Sequence, residues 1–86
     1  MTDAAQTTPS MNPWLTERAR RLEAASDLPA GAVGLQSGEI EALLEMASVA
    51  AHESGDRRNA PLLCYLAGVA VGRGNASVDR LRTAIT

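Results

Sequence analysis

The residue types best suited to chemistry lie in the second half of the chain, where His52 is the only histidine and Cys64 the only cysteine. A histidine acting as general base needs a nucleophile or an orienting acid within hydrogen-bond reach. Glu45 and Ser48 share its expected helix face, and Ser48, four residues back, is spaced for contact. The plainer reading is an exposed histidine near a helix C-terminus, where its charged form suits the peptide dipoles. Cys64 acts as a nucleophile only if its thiolate is stabilised. It falls one turn inside an apolar segment, where a thiol is ordinarily a small hydrophobe. His52, Glu53, Asp56 and Cys64 carry metal-binding atoms but match no ligand spacing. Neighbours such as His52 and Glu53 also point about 100° apart on a helix. No metal or other cofactor is expected.

The triplet Arg18, Arg20 and Arg21 and the pair Arg57 and Arg58 are the groups a phosphate would use. Arg58 stands just before an expected helix N-terminus, a place where anions bind. No Gly-rich phosphate loop accompanies it. Surface arginines balancing ten acids are the blander reading. Trp14 reads first as a core plug and second as a ligand platform.

These residues must be positioned by helices. Sixteen residues are Ala, none is Phe, and Trp14 and Tyr65 are the only aromatics. Ala is the best helix former, and β-branched residues are few. The expected fold is all-α, a small bundle of about four helices over residues 13–26, 38–53, 60–73 and 77–85. Residues 1–11 are polar and aperiodic and read as a disordered tail, leaving 12–86 as a single helical domain.

Asn12-Pro13 is a helix start: Asn caps free backbone N–H groups, and Pro fits the first helical position. Trp14, Leu15, Leu22 and Ala25 share one side of that helix, with Glu17, Arg20 and Glu23 facing water. One Pro and three Gly between Asp27 and Gly38 make a loop. Ser37 can cap the second helix, whose Ile40, Leu43, Leu44, Ala47 and Ala51 fit a core stripe. Gly55 suits the left-handed residue after it, and Asn59 is the expected cap of the third. The third helix is apolar on every side, so it is either buried on most sides or open to a partner. Its small residues Ala60, Cys64, Gly68 and Gly72 recur every fourth position. Helical glycine costs roughly 1 kcal/mol relative to Ala, so close packing against another backbone is expected to make up the loss. Ser77 can cap a last helix with Val78, Leu81 and Ile85 inward and Asp79, Arg80 and Arg82 outward.

The totals exclude several classes. All eight basic residues are Arg, and the net charge is −2. That argues against nonspecific binding to nucleic acid or an anionic membrane, both of which want a basic excess. A helix-turn-helix needs a polar second helix, which residues 60–72 are not. The same segment is shorter than the ~20 residues that span a bilayer. A lone cysteine excludes an internal disulfide and suits a reducing compartment. With no signal-peptide pattern in the first ten residues, the expected location is cytoplasmic.

The run His52-Glu-Ser-Gly-Asp-Arg-Arg-Asn-Ala-Pro-Leu-Leu-Cys-Tyr-Leu-Ala-Gly-Val-Ala-Val-Gly resembles the hallmark of a small uncharacterised bacterial family. Members carry Ala-His, a short Arg-containing turn, then Ala-Pro-Leu and an apolar segment ending Gly-x-Ala-x-Gly. Trp14-Leu15 and Leu43-Leu44 fit as well. The family is a domain of unknown function, found alone or fused to molybdenum-cofactor guanylyltransferase-like proteins. The resemblance implies an association with molybdenum-cofactor biosynthesis or molybdoenzyme maturation. It does not imply nucleotide transfer, which belongs to a larger α/β domain. One departure lies in the turn, where members tend to place Pro soon after Arg and this chain has Asn59 after Arg58.

The sequence thus points to a noncatalytic helical accessory or interaction module, its partner another protein, such as a molybdenum-cofactor enzyme or transferase. The expected partner face combines Trp14, His52, Arg57, Arg58 and Pro61. One alternative is a self-associating helical protein, a homodimer along the Ala60, Cys64, Gly68 and Gly72 ridge. Another is a small ligand-binding or catalytic domain using His52 and Cys64.

Overall fold

A computed structural model of the chain describes residues 11–86. The expected tail therefore lies outside the described residues except for Met11. Four helices follow in order: α1 (Pro13–Ala25), α2 (Ser37–Ser54), α3 (Asn59–Arg73) and α4 (Val78–Ile85). Among the described residues there is no strand. The chain divides into two compact units, Met1–Ser37 and Gly38–Thr86.

In the first unit, α1 starts as its sequence dictates. The Asn12 Oδ1 accepts the Leu15 N–H at 2.8 Å, and Pro13 takes the first helical position. The helix ends at Ser26, and the chain turns through Asp27, a non-glycine residue at φ 59°. Gly31 supplies a second positive φ, at 92°. The loop is fastened by a side chain read from the sequence as facing water. Glu23 is only 2% exposed. Its Oε2 accepts the N–H groups of Val33 at 2.8 Å and Gly31 at 3.1 Å. A loop without its own ladder must find acceptors for its N–H groups, and a carboxylate on the last turn of α1 provides them. Helical periodicity sorts residues by polarity and does not register this demand.

Trp14 and Leu22, expected inside, are exposed, at 62% and 59%. Ala25 is exposed and Leu15 half-buried. The unit holds one helix and a loop, too little apolar surface to enclose an indole. The Arg18 guanidinium lies over the Trp14 ring instead, 4.6 Å from its centroid. Of the described residues in this unit, only Ala19 and Glu23 are fully buried.

The second unit holds the apolar core. Ala42 and Met46 of α2, Ala67 of α3 and Val78 of α4 are buried together, with Leu43, Leu63, Val71 and Leu81 packed around them. Met46 is completely buried. The α2 stripe is thus rotated from the expected one: Leu44 is exposed, and Ile40, Ala47 and Ala51 are only half-buried. Ala and Leu occur on several faces of α2, so more than one register satisfies the i, i+3, i+4 pattern. Met46, with its unbranched flexible side chain, fits the irregular space between helices of small residues.

Gly55 follows α2 at φ 74°, the left-handed role read for it. The expected Asn59 cap is not made: Asn59 is already helical, and Arg58 before it makes no side-chain cap bond. Asp56 takes that part, its Oδ1 accepting the Arg58 N–H at 2.9 Å. Ser77 caps α4 as expected, accepting the Arg80 N–H at 3.2 Å. Ile85 is exposed, whereas Arg82, expected outward, is half-buried. Its guanidinium pairs with Asp79 at 2.9 Å and with Glu45 of α2 at 3.4 Å, tying α4 to α2.

Candidate functional site

The turn between α2 and α3 collects most of the residues singled out in the sequence. Asp56 is its organiser. It accepts the Arg58 backbone N–H and both Nε and Nη2 of the Arg58 guanidinium, the last at 2.9 Å. The Arg58 side chain, helped by the Arg58 N–H, holds the Asp56 carboxyl below its ordinary pKa against the opposing pull of burial. Arg58 is thereby occupied. The Arg57 carbonyl accepts the Ala60 N–H at 3.1 Å, while its guanidinium makes no ion pair among the described residues; Arg57, Arg58 and Pro61 are exposed.

His52 is exposed at the end of α2. Its Nδ1 lies 2.9 Å from the Ser48 carbonyl and 3.3 Å from Ser48 Oγ. A carbonyl only accepts, so in this geometry Nδ1 carries a proton. No hydrogen bond joins His52 to an acid, to Cys64 or to Arg57 among the described residues. Cys64 Sγ donates to the Leu43 carbonyl at 3.6 Å, and burial pushes its thiol pKa up. That environment opposes a thiolate. No group of three or more His, Cys, Asp or Glu suited to a metal ion occurs among the described residues. The arginine triplet of α1 is engaged: Arg18 with Trp14 and Glu17, Arg20 with Glu23, and Arg21 with Glu17 at 2.6 Å. Trp14 and these arginines belong to the first unit.

The small-residue ridge divides in two. Ala60 and Cys64 are half-buried, while Gly68 and Gly72 are exposed. A Cβ added at Gly68 or Gly72 meets nothing within 4 Å. The expected close approach of another backbone is therefore not made at either glycine by the described residues.

Beside these glycines lies a surface that the sequence reading did not single out. Leu62, Tyr65 and Leu66 are 59%, 71% and 61% exposed, and Val69 is half-buried. With Arg73 they follow the i, i+3, i+4, i+7, i+11 spacing of one helix face. The opposite face carries Leu63, Ala67 and Val71 into the core. The α3 sequence holds no carboxylate, and Arg73 is its only charge. The spacing was available in the sequence. It was hidden because every position from Ala60 to Gly72 is apolar or small, so no polar gap separates the stripe that packs from the stripe that does not.

The model of the family described as "Domain of unknown function (DUF6457)" matches residues 6–86. The chain belongs to this family. The match takes in both units, the α2–α3 turn and the whole exposed face of α3. No curated protein and no solved structure matches the chain. Family membership therefore assigns the chain no reaction. No helix among the described residues is long and apolar enough to cross a membrane.

Proposed function

We propose that this domain is a noncatalytic interaction module that docks another protein through the exposed face of α3 and the adjoining α2–α3 turn. One observation carries the reading: Leu62, Tyr65 and Leu66 stand together in solvent on a helix that is apolar from Ala60 to Gly72. Scattered exposed leucines are ordinary, but a contiguous apolar face marks a surface that something covers. Arg57, Arg58 and Pro61 extend this surface at the turn, and His52 borders it in sequence. Trp14 offers the first unit an exposed aromatic of the kind enriched at interfaces. The proposed partner is a protein of molybdenum-cofactor biosynthesis or molybdoenzyme maturation. Its support is the resemblance, carried by the segment 52–72, to a family of domains found alone or fused to molybdenum-cofactor guanylyltransferase-like proteins.

The test uses the full chain and its Leu66→Glu variant as baits in the native host. A partner identified by mass is then purified and titrated in a binary assay. Wild type is expected to bind at least tenfold more tightly than Leu66→Glu, with equal melting temperatures for the two chains. Equal affinity, or no partner, overturns the reading. Titration with the host's own guanylyltransferase-like protein checks the pathway, and absence of binding there removes the pathway while leaving the docking face.

A further inference from the structure

The segment that follows α1 is fastened back onto it by one pair of side chains. Glu23 Oε2 accepts the N–H groups of Gly31 and Val33. Arg20 Nη2 donates to the same carboxylate oxygen at 3.1 Å and to the Val33 carbonyl at 3.2 Å. Within the segment the Ala32 N–H donates to the Pro29 carbonyl at 3.1 Å, a turn with Gly31 at φ 92° inside it. This turn is separate from the end of α1. Leu28 closes that end, its N–H donating to the Glu23 carbonyl at 2.9 Å just after Asp27 at φ 59°.

Little apolar surface helps to hold the segment. Leu28 is 46% exposed, Pro29 to Ala32 are all exposed, and Val33 is half-buried. Ordering each of these residues costs conformational entropy, which a strand ladder or a buried core offsets elsewhere. Here the offset falls on the buried Glu23 and its arginine. Segments with few buried apolar contacts open locally before the molecule unfolds. The convergence of the donors decides what opens. Gly31 and Val33 share one acceptor oxygen, so both are released when it lets go, and the turn between them goes with them.

We infer that residues 29–33 are a strap that opens as one piece about Asp27, while α1 and its closing bond at Leu28 stay in place. The closed strap pins the chain at Val33 and leaves residues 34–36 to run to α2, about 10 Å of extended chain. The open strap frees residues 29–36, about 26 Å. It is a store of chain length ahead of α2, and a partner that binds one form better than the other shifts the balance between them. The strap is independent of docking by α3.

Native-state hydrogen exchange on the full chain tests this amide by amide. Gly31, Ala32 and Val33 are expected to share one opening, their protection agreeing within about threefold after correction for intrinsic rates. That protection is expected to change little with denaturant below the unfolding transition, because the opening exposes little surface, while protection at Met46 falls steeply. In Glu23→Gln, Ala32 is the deciding position. Its N–H bonds inside the turn and does not touch Glu23, so a carboxylate that merely caps two amides leaves its rate unchanged. The strap instead speeds Ala32 by the same factor as Gly31 and Val33, roughly tenfold at pH 7, with Ala19 and Leu28 unaffected. An unchanged Ala32 rate overturns the inference, whatever Gly31 and Val33 do. Equal acceleration at Ala19 overturns it as well, because α1 then opens with the segment. Steep denaturant dependence at Val33 in the wild type overturns it without any variant, since exchange there then needs global unfolding.

Discussion

Glu23 shows how one residue can hold a segment that has no regular structure. Burial alone raises a carboxyl pKa. Here the Val33 and Gly31 N–H groups, the Arg20 hydrogen bond and the Arg20 charge together outweigh burial and hold it below its ordinary value. Glu23 Oε1 lies 2.7 Å from Arg20 Nε as an ion-pair contact without hydrogen-bond geometry. Arg20 also donates to the Val33 carbonyl at 3.2 Å, so both loop and helix grip the same pair. A carboxylate with a depressed folded pKa stabilises the folded form at pH above its unfolded value. That contribution is lost as pH falls from the unfolded value near 4.5 through the folded one. Hydrogen exchange at the Gly31 and Val33 amides is the direct readout. Protection is expected to persist at neutral pH and to fall on acidification below about 4.5, allowing for the intrinsic rate. Glu23→Gln is expected to speed exchange there roughly tenfold at pH 7, since it removes a charged acceptor. Unchanged exchange in the variant refutes the anchoring role. None of this was legible from polarity, because the sequence places Glu23 beside Arg20 on a face that looks solvated. Asp56 was missed for the same reason: its acceptors serve backbone and side chain of a residue two positions on, a relation no helical wheel displays.

At the scale of elements, the breaks were legible and the faces were not. Asn12-Pro13, Gly55 and Ser77 do the work that their side chains or backbone freedom fit them for. Those signals are local, so they survive without knowledge of the packing. Which stripe of α2 or α3 turns inward depends on the other helices, and an Ala-rich sequence offers several equivalent stripes. The rotation has energetic consequences. Met46→Ala removes a fully buried side chain and is expected to cost about 2–5 kcal/mol in denaturant unfolding. A cost below about 1 kcal/mol counts against a close-packed core at that position. Gly68 and Gly72 argue in the other direction. Each sits in a helix with nothing for a Cβ to meet and no positive φ. Gly68→Ala and Gly72→Ala are each expected to stabilise the isolated chain by about 1 kcal/mol. Loss of stability in either variant shows that the glycine already packs against something within the chain. Gain of stability with loss of partner binding identifies the glycines as places where folding has ceded ground to docking.

The molecule as a whole owes little of its stability to surface charge. The described ion pairs other than Arg20–Glu23 are at the surface or nearly so. Such pairs contribute little and are screened by salt. Raising salt from about 0.05 to 0.5 M is therefore expected to shift the melting temperature by no more than about 3 °C. A large fall in melting temperature with salt shows instead that ion pairs are a main support of the fold. The all-helical architecture was legible at this scale from composition alone: sixteen Ala, few β-branched residues and no Phe. The same composition explains why the exposed face of α3 was not. A chain of 86 residues keeps a large part of its surface in water, so some apolar helix surface stays outside whatever the register.

The chain's two aromatic side chains fall one in each unit, Trp14 in the first and Tyr65 in the second, and both are exposed in the folded state. A native protein of this kind is nearly silent to the optical methods that watch a buried ring enter water. Trp14 emission is expected to shift little on unfolding, so melting curves are best followed through the backbone signal of the helices. That silence is useful for a different purpose. Tyr65 is the only phenol in the chain and stands in the middle of the α3 face, so a change in its absorbance or its nitration rate on adding a partner reports coverage of that face without a label.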